Sequence, residues 1–293
     1  MLTTITRFTA VALMVALLGG CNKLYRTTRT LEQTTAHAAN APLKIDIRNG
    51  SIDVIGDTAA QDVHLVAQLT AGGASQEEAD SRSADTQLSL IRDTSGTLTV
   101  AVVFPGGYKS GDHANLTIRV PDASRVEATT GNGAVSISNL DAETVVKTSN
   151  GRITLAKMSG KATLTSSNGR ITVEKHAGDV AANTGNGAIE LTDISGKTTA
   201  KSSNGAITVR LDANHPGPID LQSSNGRITA TVGAAFAGQI DLSTSNGSIT
   251  VEAGEGAIAS KDIKRRSGKV EMTRTGEASR LKTSNGSITL KVE

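Results

Sequence analysis

The chain of 293 residues has no tryptophan, three phenylalanines, two tyrosines, five prolines and one cysteine. So few rings exclude a thick core built around large side chains. They also remove the stacking platforms on which single-stranded nucleic acid is held. An excess of one charge is missing too: 30 basic residues are interspersed with 28 acidic ones, for a net charge of +2. That is a solvated surface, not the basic footprint of a nucleic-acid binder. One cysteine cannot make a disulfide framework, so packing and backbone hydrogen bonds must hold the fold. What the chain does have is 30 glycines and an abundance of Thr, Ser, Val, Ile and Ala. Small β-branched side chains suit a narrow core of repeated layers.

The lone cysteine is Cys21, and its position is informative. Arg7 precedes a short apolar stretch, Ala10 to Leu18, of signal-peptide length and too short to span a bilayer. Leu18-Gly19-Gly20-Cys21 resembles the bacterial lipobox, in which small residues precede a cysteine that is lipidated and becomes the new N-terminus. The resemblance implies that residues 1–20 are a lipoprotein signal peptide and that Cys21 carries palmitate-like acyl chains, each buried CH₂ contributing about 0.8 kcal/mol. The implied partner is the membrane and the implied location the cell envelope. Asn22, in place of the aspartate that retains lipoproteins at the inner membrane, leans towards the outer membrane.

Residues 22–41 are polar, rich in Thr and Ala, and lack apolar periodicity. With Cys21 they read as a lipid anchor and flexible tether, residues 21–42. Leu43 to Ile47, then Asn49-Gly50, then Ser51 to Val54 read as strand, turn, strand. Val63 to Leu69 alternates like a strand, Gln76 to Leu90 is a candidate helix, and Thr97 to Phe104 and Asn115 to Val120 read as further strands, the last stopped by Pro121. Residues 43–121 are expected to form a small N-terminal cap with the first strands, closing an edge that would otherwise present unpaired backbone.

Asn-Gly occurs nine times, and from Asn132 the intervals are 18, 18, 18, 18, 21, 21 and 39. The last splits into 21 and 18 if Ser267-Gly268 begins a degenerate copy, giving eight full units and a partial ninth over residues 132–293. Each unit holds two short alternating strands, as in Ile153-Thr154-Leu155 and Ala162-Thr163-Leu164, and two turns. Period two means one buried face. The three-residue insertions at Asp212–Gly217 and Gly233–Gly238 fall at the second turn, where loops accept them.

Two architectures fit this repeat. In an antiparallel meander Asn-Gly would be a hairpin turn, but the apolar face would need a second layer that no other segment supplies. In a parallel β-solenoid each unit is one coil, which covers that face with its own second strand. The expected fold is therefore all-β, a parallel β-solenoid (β-helix) of about nine coils over residues 122–293 with the small cap before it. The corners Asn132-Gly133, Asn150-Gly151, Asn168-Gly169, Asn186-Gly187, Asn204-Gly205, Asn225-Gly226, Asn246-Gly247 and Asn285-Gly286 would line up as a structural turn ladder. Asn and Gly tolerate positive φ at a tight corner, and stacked amides can hydrogen-bond along it.

Arg125-Val126-Glu127-Ala128-Thr129-Thr130-Gly131-Asn132-Gly133, followed by repeated Ser-Asn-Gly-Arg-Ile-Thr, resembles a bacterial β-strand-repeat family of unknown function whose members are called candidate adhesins. The resemblance covers about residues 43–293. It implies a β-helical surface or envelope protein and carries no catalytic residues over. Fold alone does not fix function.

The position after Asn-Gly is Arg in three units. Arg152, Arg170 and Arg227 are the candidate anion-binding residues, suited to acidic polysaccharide or lipopolysaccharide phosphate; Ala at the same place in other units argues for a plain solvated edge. His37, His64, His113, His176 and His215 show no metal-ligand spacing and are expected at the surface. No calcium repeat and no Gly-x-Ser-x-Gly elbow occurs. Asp220 and Asp241 lie 21 residues apart in equivalent places and would face each other on adjacent coils, which alone is weak support for glycosidase chemistry. Lys264-Arg265-Arg266 reads as solvated. No catalytic residue, metal or cofactor is expected. The chain reads as a lipid-anchored, non-enzymatic envelope protein with a structural or adhesive role, binding envelope polysaccharide or protein. The alternatives are a carbohydrate-active β-helix enzyme and an envelope-stress regulatory lipoprotein.

Overall fold

The computed structural model describes residues 24–254 and 256–293, together with the two-residue strand Thr6–Arg7. Cys21, Asn22 and the apolar run before them lie outside the described residues. The chain divides into two compact units, residues 1–142 and 143–293.

In the second unit each repeat is one coil of two parallel sheets. One sheet runs in the order Ile153–Ser159, Ile171–Ala177, Ile189–Ile194, Ile207–Leu211, Ile228–Val232, Ile288–Val292, Ile249–Ala253. Every neighbouring pair in it is parallel and in register, apart from a shift between Thr192 and Ile194 against Ile207–Leu211. The second sheet holds the other strand of each coil, including Ala162–Ser166, Val180–Thr184, Thr198–Ser202, Ile219–Ser223 and Ser279–Thr283. The fold is thus the expected β-solenoid. Alternation turns one face of each strand inward. Ile153, Ile171, Ile189, Ile207, Ile228 and Ile288 form one aliphatic column, and Leu164, Ala200, Leu221 and Leu281 lie buried on the other sheet. Burying a Leu or Ile fully contributes about 1.5–3 kcal/mol, so a coil needs only a few such residues and no aromatic ring.

The stacking order departs from the sequence. The last coil, residues 279–292, lies between coil 219–232 and coil 239–253, parallel to both in each sheet. Ser267-Gly268 is not a degenerate corner. Ser267–Met272 and Ile258–Ile263 form an antiparallel hairpin that pairs onto Gln239–Thr244. Val270 and Met272 are buried there, and Lys264-Arg265-Arg266 is its exposed turn. The 39-residue interval therefore contains this hairpin and its link to the last coil.

The first unit repeats the device. The coil of Leu43–Asn49 and Ile52–Gly56 lies between Leu98–Val103 with His113–Val120 on one side and Arg125–Asn132 with Val135–Ser138 on the other, all parallel. Antiparallel strands then extend both sheets: Gln87–Arg92 on Leu98–Val103, and Asp62–Gly73 on His113–Val120. The helix occupies Gln76–Asp85, shorter than the candidate segment. Its N-cap Ser75 accepts from the Glu78 N–H, and Thr86 ends it in an extended conformation.

Most of the expected tether is a strand. Tyr25–Ala36 pairs antiparallel with Asp62–Gly73 along its whole length. Its Thr residues are β-branched and suit a pleated, half-buried surface. Only Leu31 is a buried aliphatic, so no apolar period announces it. Thr27 donates to Asp80 of the helix at 2.5 Å, and Arg29 donates to the Thr86 carbonyl.

Candidate functional site

The repeated corner is the most regular arrangement of side chains in the molecule. In the second unit six amide bonds run along it: Asn168 to Asn150, Asn186 to Asn168, Asn204 to Asn186, Asn225 to Asn204, Asn285 to Asn225 and Asn246 to Asn285. In each the Nδ2 donates to the neighbouring Oδ1 at 2.6–2.7 Å. In the first unit Asn132 donates to Asn49 at 2.7 Å. Asn49 in turn donates to the Asp112 carbonyl.

At Gly50 φ is +120°, but along the rest of the ladder the reason for Gly is not positive φ. No Asn-Gly corner from Asn150 onward holds a residue at positive φ; the left-handed residues, Lys157, Lys175 and Asp193, sit at the opposite corner. Gly is required because the coils approach too closely for a side chain. A Cβ on Gly187 would lie 1.9 Å from the Gly169 carbonyl oxygen, and one on Gly205 1.8 Å from that of Gly187.

A second ladder lies beneath the amides. Two residues before each Asn is a Ser or Thr: Thr148, Ser166, Thr184, Ser202, Ser223, Thr244 and Thr283. Each hydroxyl accepts from the N–H of the Gly after the Asn, at 2.8–3.3 Å. From Ser166 onward each also donates to the Gly carbonyl of the neighbouring coil at 2.8–3.2 Å. All seven residues are buried. The [Ser/Thr]-x-Asn-Gly spacing was the available signal for this ladder, and alternation alone does not separate it from ordinary strand Thr.

The candidate arginines form no continuous strip. Arg152 and Arg170 are on neighbouring coils, but two alanine coils, Ala188 and Ala206, separate Arg170 from Arg227. Arg170 lies 3.6 Å from Glu190, and Arg227 donates to the Ser287 hydroxyl at 3.1 Å. Asp220 and Asp241 do not face each other. Arg280 of the inserted coil is in register between them and donates to both Asp220 oxygens, at 3.2 and 3.1 Å. Burial works against the ionised form of Asp220, but Arg280 and the Gln222 amide hold its carboxyl below the usual carboxylate range.

Two of the histidines expected at the surface are buried. His176 is in a core column between Met158 and Ile194. Its Nε2–H donates to the Gly160 carbonyl at 2.8 Å, and its Nδ1 has no partner. Burial lowers its pKa, against the opposing pull of that bond and of Asp179. His215 donates to the Gly196 carbonyl, accepts from the Gly217 N–H and stacks near Phe236, so the inserted loops carry a small core of their own. Of the others, His37 pairs with Asp122 and His64 with Glu32.

The first unit contains one deeply buried ion pair. Arg82 of the helix donates from both terminal nitrogens to the two oxygens of Asp112, each at 2.8 Å. It also binds the carbonyls of Gly72 and Gly107, clamping the loop before His113. Burial opposes ionisation of Asp112, yet Arg82 and the N–H groups of Gly72 and Lys109 keep its pKa low. This pair was not foreseen, since two charges 30 residues apart leave no periodic trace. Among the described residues no group of three His, Cys, Asp or Glu side chains is placed to hold a metal ion. A hollow beside His37, Arg92 and Asp122 has about 10 Å³ of space, room for about one water.

A candidate adhesin of Bacteroides fragilis shares 14% identity over 90% of this chain and 97% of its own, with a TM-score of 0.48. One of Parabacteroides distasonis shares 13% over the same proportions, with a TM-score of 0.40. No curated protein matches the chain. The Toastrack DUF4097 family model matches residues 42–291, so the chain belongs to the Toastrack DUF4097 family.

Proposed function

We propose that this is a lipid-anchored protein of the cell envelope, held through Cys21 at the outer membrane, with a non-enzymatic structural or adhesive role. The observation that carries this reading is how the polar side chains of the repeat are used. Asn amides bond one another and Ser/Thr hydroxyls bond the Gly backbone from coil to coil, and the one suspected carboxylate pair is separated by Arg280. The outward faces are left as rows of Thr, Lys, Arg, Asp and Glu on two long parallel sheets. Such faces suit contact with an extended polysaccharide or protein surface more than enclosure of a small substrate. The names of the related structures, candidate adhesins, point the same way.

Two measurements test it. A clickable fatty acid should label the wild-type protein in bacteria and not Cys21→Ser, and the substituted protein should leave the membrane fraction. The full chain should retain an envelope polysaccharide or protein from detergent extracts without altering it. Turnover of acidic glycans by the purified chain would replace this reading with the enzymatic one. Unchanged binding in Arg152→Ala/Arg170→Ala would remove those arginines from the contact surface.

A further inference from the structure

The last coil is out of sequence order, and its charges match its location. Its outward side chains on the two sheets include the basic Arg280 and Lys291. The coils on either side present Asp220, Asp241 and Glu252 to them. Arg280 is in register with both aspartates and paired with Asp220 at 3.1 Å. Lys291 is in register with Glu252 and 3.1 Å from it. Asp241 is also opposite Lys269 of the hairpin, which is opposite Asp262. The sign of the charge therefore alternates along this column: Asp220, Arg280, Asp241, Lys269, Asp262.

Stacking in sequence order would give a different column. Coils 219–232 and 239–253 are alike in pattern: Ile219-Asp220-Leu221 against Ile240-Asp241-Leu242, and the same Ser-Asn-Gly corner. Hydrogen bonding and burial would allow them to pair directly. Asp220 and Asp241 would then be opposite each other, and like charges directly opposite on a sheet are destabilising. Earlier coils, which do stack in sequence order, have Thr163, Ala181 and Thr199 at this position.

We propose that Asp220 and Asp241 prevent these two coils from stacking on each other, and that residues 279–292 are a closing coil admitted between them by Arg280 and Lys291. The exposed link Thr273–Ala278 lets the chain double back from the hairpin to the slot. The device sets the order of the stack by charge where the repeat pattern is degenerate.

Cysteine pairs read the order directly. Ser224, Ser284 and Ser245 occupy successive rungs beside the amide ladder. Adjacent rungs are about 4.8 Å apart, within disulfide reach, whereas alternate rungs at about 9.6 Å are beyond the limit of about 7 Å. In the full chain carrying Cys21→Ser, Ser224→Cys/Ser284→Cys should oxidise to a crosslink and Ser224→Cys/Ser245→Cys should not. Asp220→Asn/Asp241→Asn should raise the second crosslink at least threefold and lower the first. Arg280→Glu should lose the first crosslink and expose the otherwise buried strands Ser279–Thr283 and Ile288–Val292 to protease while the rest of the chain stays resistant. Inverting the whole column, Asp220→Lys/Arg280→Glu/Asp241→Lys/Lys269→Glu/Asp262→Lys, should restore the wild-type pattern. Retention of the wild-type crosslinks in the Asn double variant, or full Ser224→Cys/Ser284→Cys crosslinking in Arg280→Glu, would overturn the proposal.

Discussion

Thr184→Val separates the two ladders. Valine matches threonine in shape and β preference, so the packing of the strand is kept while the hydroxyl is removed. Thr184 is 2% exposed, and its hydroxyl accepts from the Gly187 N–H at 3.2 Å and donates to the Gly169 carbonyl at 3.0 Å. Stranding a buried donor or acceptor costs about 1–3 kcal/mol each. With two groups affected and some relaxation, the expected loss is about 2–4 kcal/mol. Thr184→Ser keeps both bonds and loses one methyl, so it should cost about 1 kcal/mol or less; Ser166, Ser202 and Ser223 already occupy the same place on other coils. Asn186→Ala breaks two amide bonds, with Asn168 and Asn204, but these are exposed and water replaces them, so about 1 kcal/mol is expected. With no tryptophan in the chain, urea unfolding is best followed by far-ultraviolet circular dichroism, with hydrogen exchange at the Gly187 amide as the local readout. Thr184→Val within about 0.5 kcal/mol of wild type, or milder than Asn186→Ala, would refute the assignment of the buried hydroxyls as the stronger ladder.

Three further outcomes are expected. Gly187→Ala should prevent native stacking, because its Cβ would meet the backbone of Gly169, which cannot rotate away; soluble yield and circular dichroism check this. Asp112→Asn or Arg82→Met should destabilise the first unit by about 3–5 kcal/mol, the cost of leaving one buried charge unpaired, read as a fall in the unfolding midpoint and new protease cleavage in residues 104–112. His176 has a folded pKa below its ordinary 6.5, so above that pH the imidazole is neutral in both states. As pH falls below 6.5 the unfolded chain binds the proton first, and stability should drop by at most about 1.4 kcal/mol per pH unit; His176→Met, matching Met158 on the neighbouring coil, should flatten that slope between pH 6.5 and 5.

Sequence periodicity made the coils legible because one constraint repeats in them. Ile153, Ile171 and Ile189 recur at 18 residues because each packs on the last. The corners line up for the same reason, but the role of Gly there was misjudged, since tolerance of positive φ and absence of a Cβ are the same in a sequence and differ only in space. Tyr25–Ala36 was hidden because a strand with Thr on both faces lacks apolar contrast. Burial of His176 and His215 was hidden because each satisfies a carbonyl from another coil, a partner no local pattern reveals. The Arg82–Asp112 pair and the order of the last coil are contacts between distant segments, and single-chain periodicity carries no information on them.

These misses have a common physical origin. Each coil offers its neighbour the same edge: an amide, a hydroxyl, a Gly carbonyl and a row of aliphatic side chains. Identical edges give strong cohesion without a large aromatic core, but any coil can then stack on any other, and nothing in the ladders distinguishes coil 239–253 from coil 279–292 as the neighbour of coil 219–232. Outside the ladders, Ser279 accepts from the Ile219 N–H at 3.0 Å where Ile240 would offer no hydroxyl; the rest of the discrimination must come from the outward side chains. At the position equivalent to Asp220 the earlier coils carry Thr163, Ala181 and Thr199, and sequence order prevails by proximity. Where order is broken in this unit, charges of alternating sign appear, at Asp220, Arg280, Asp241 and Lys269. Neutralising those four should therefore leave the total stability of the array little changed while allowing more than one stacking order. A variant that loses stability instead of order would mean that the charges cement the coils and do not sort them.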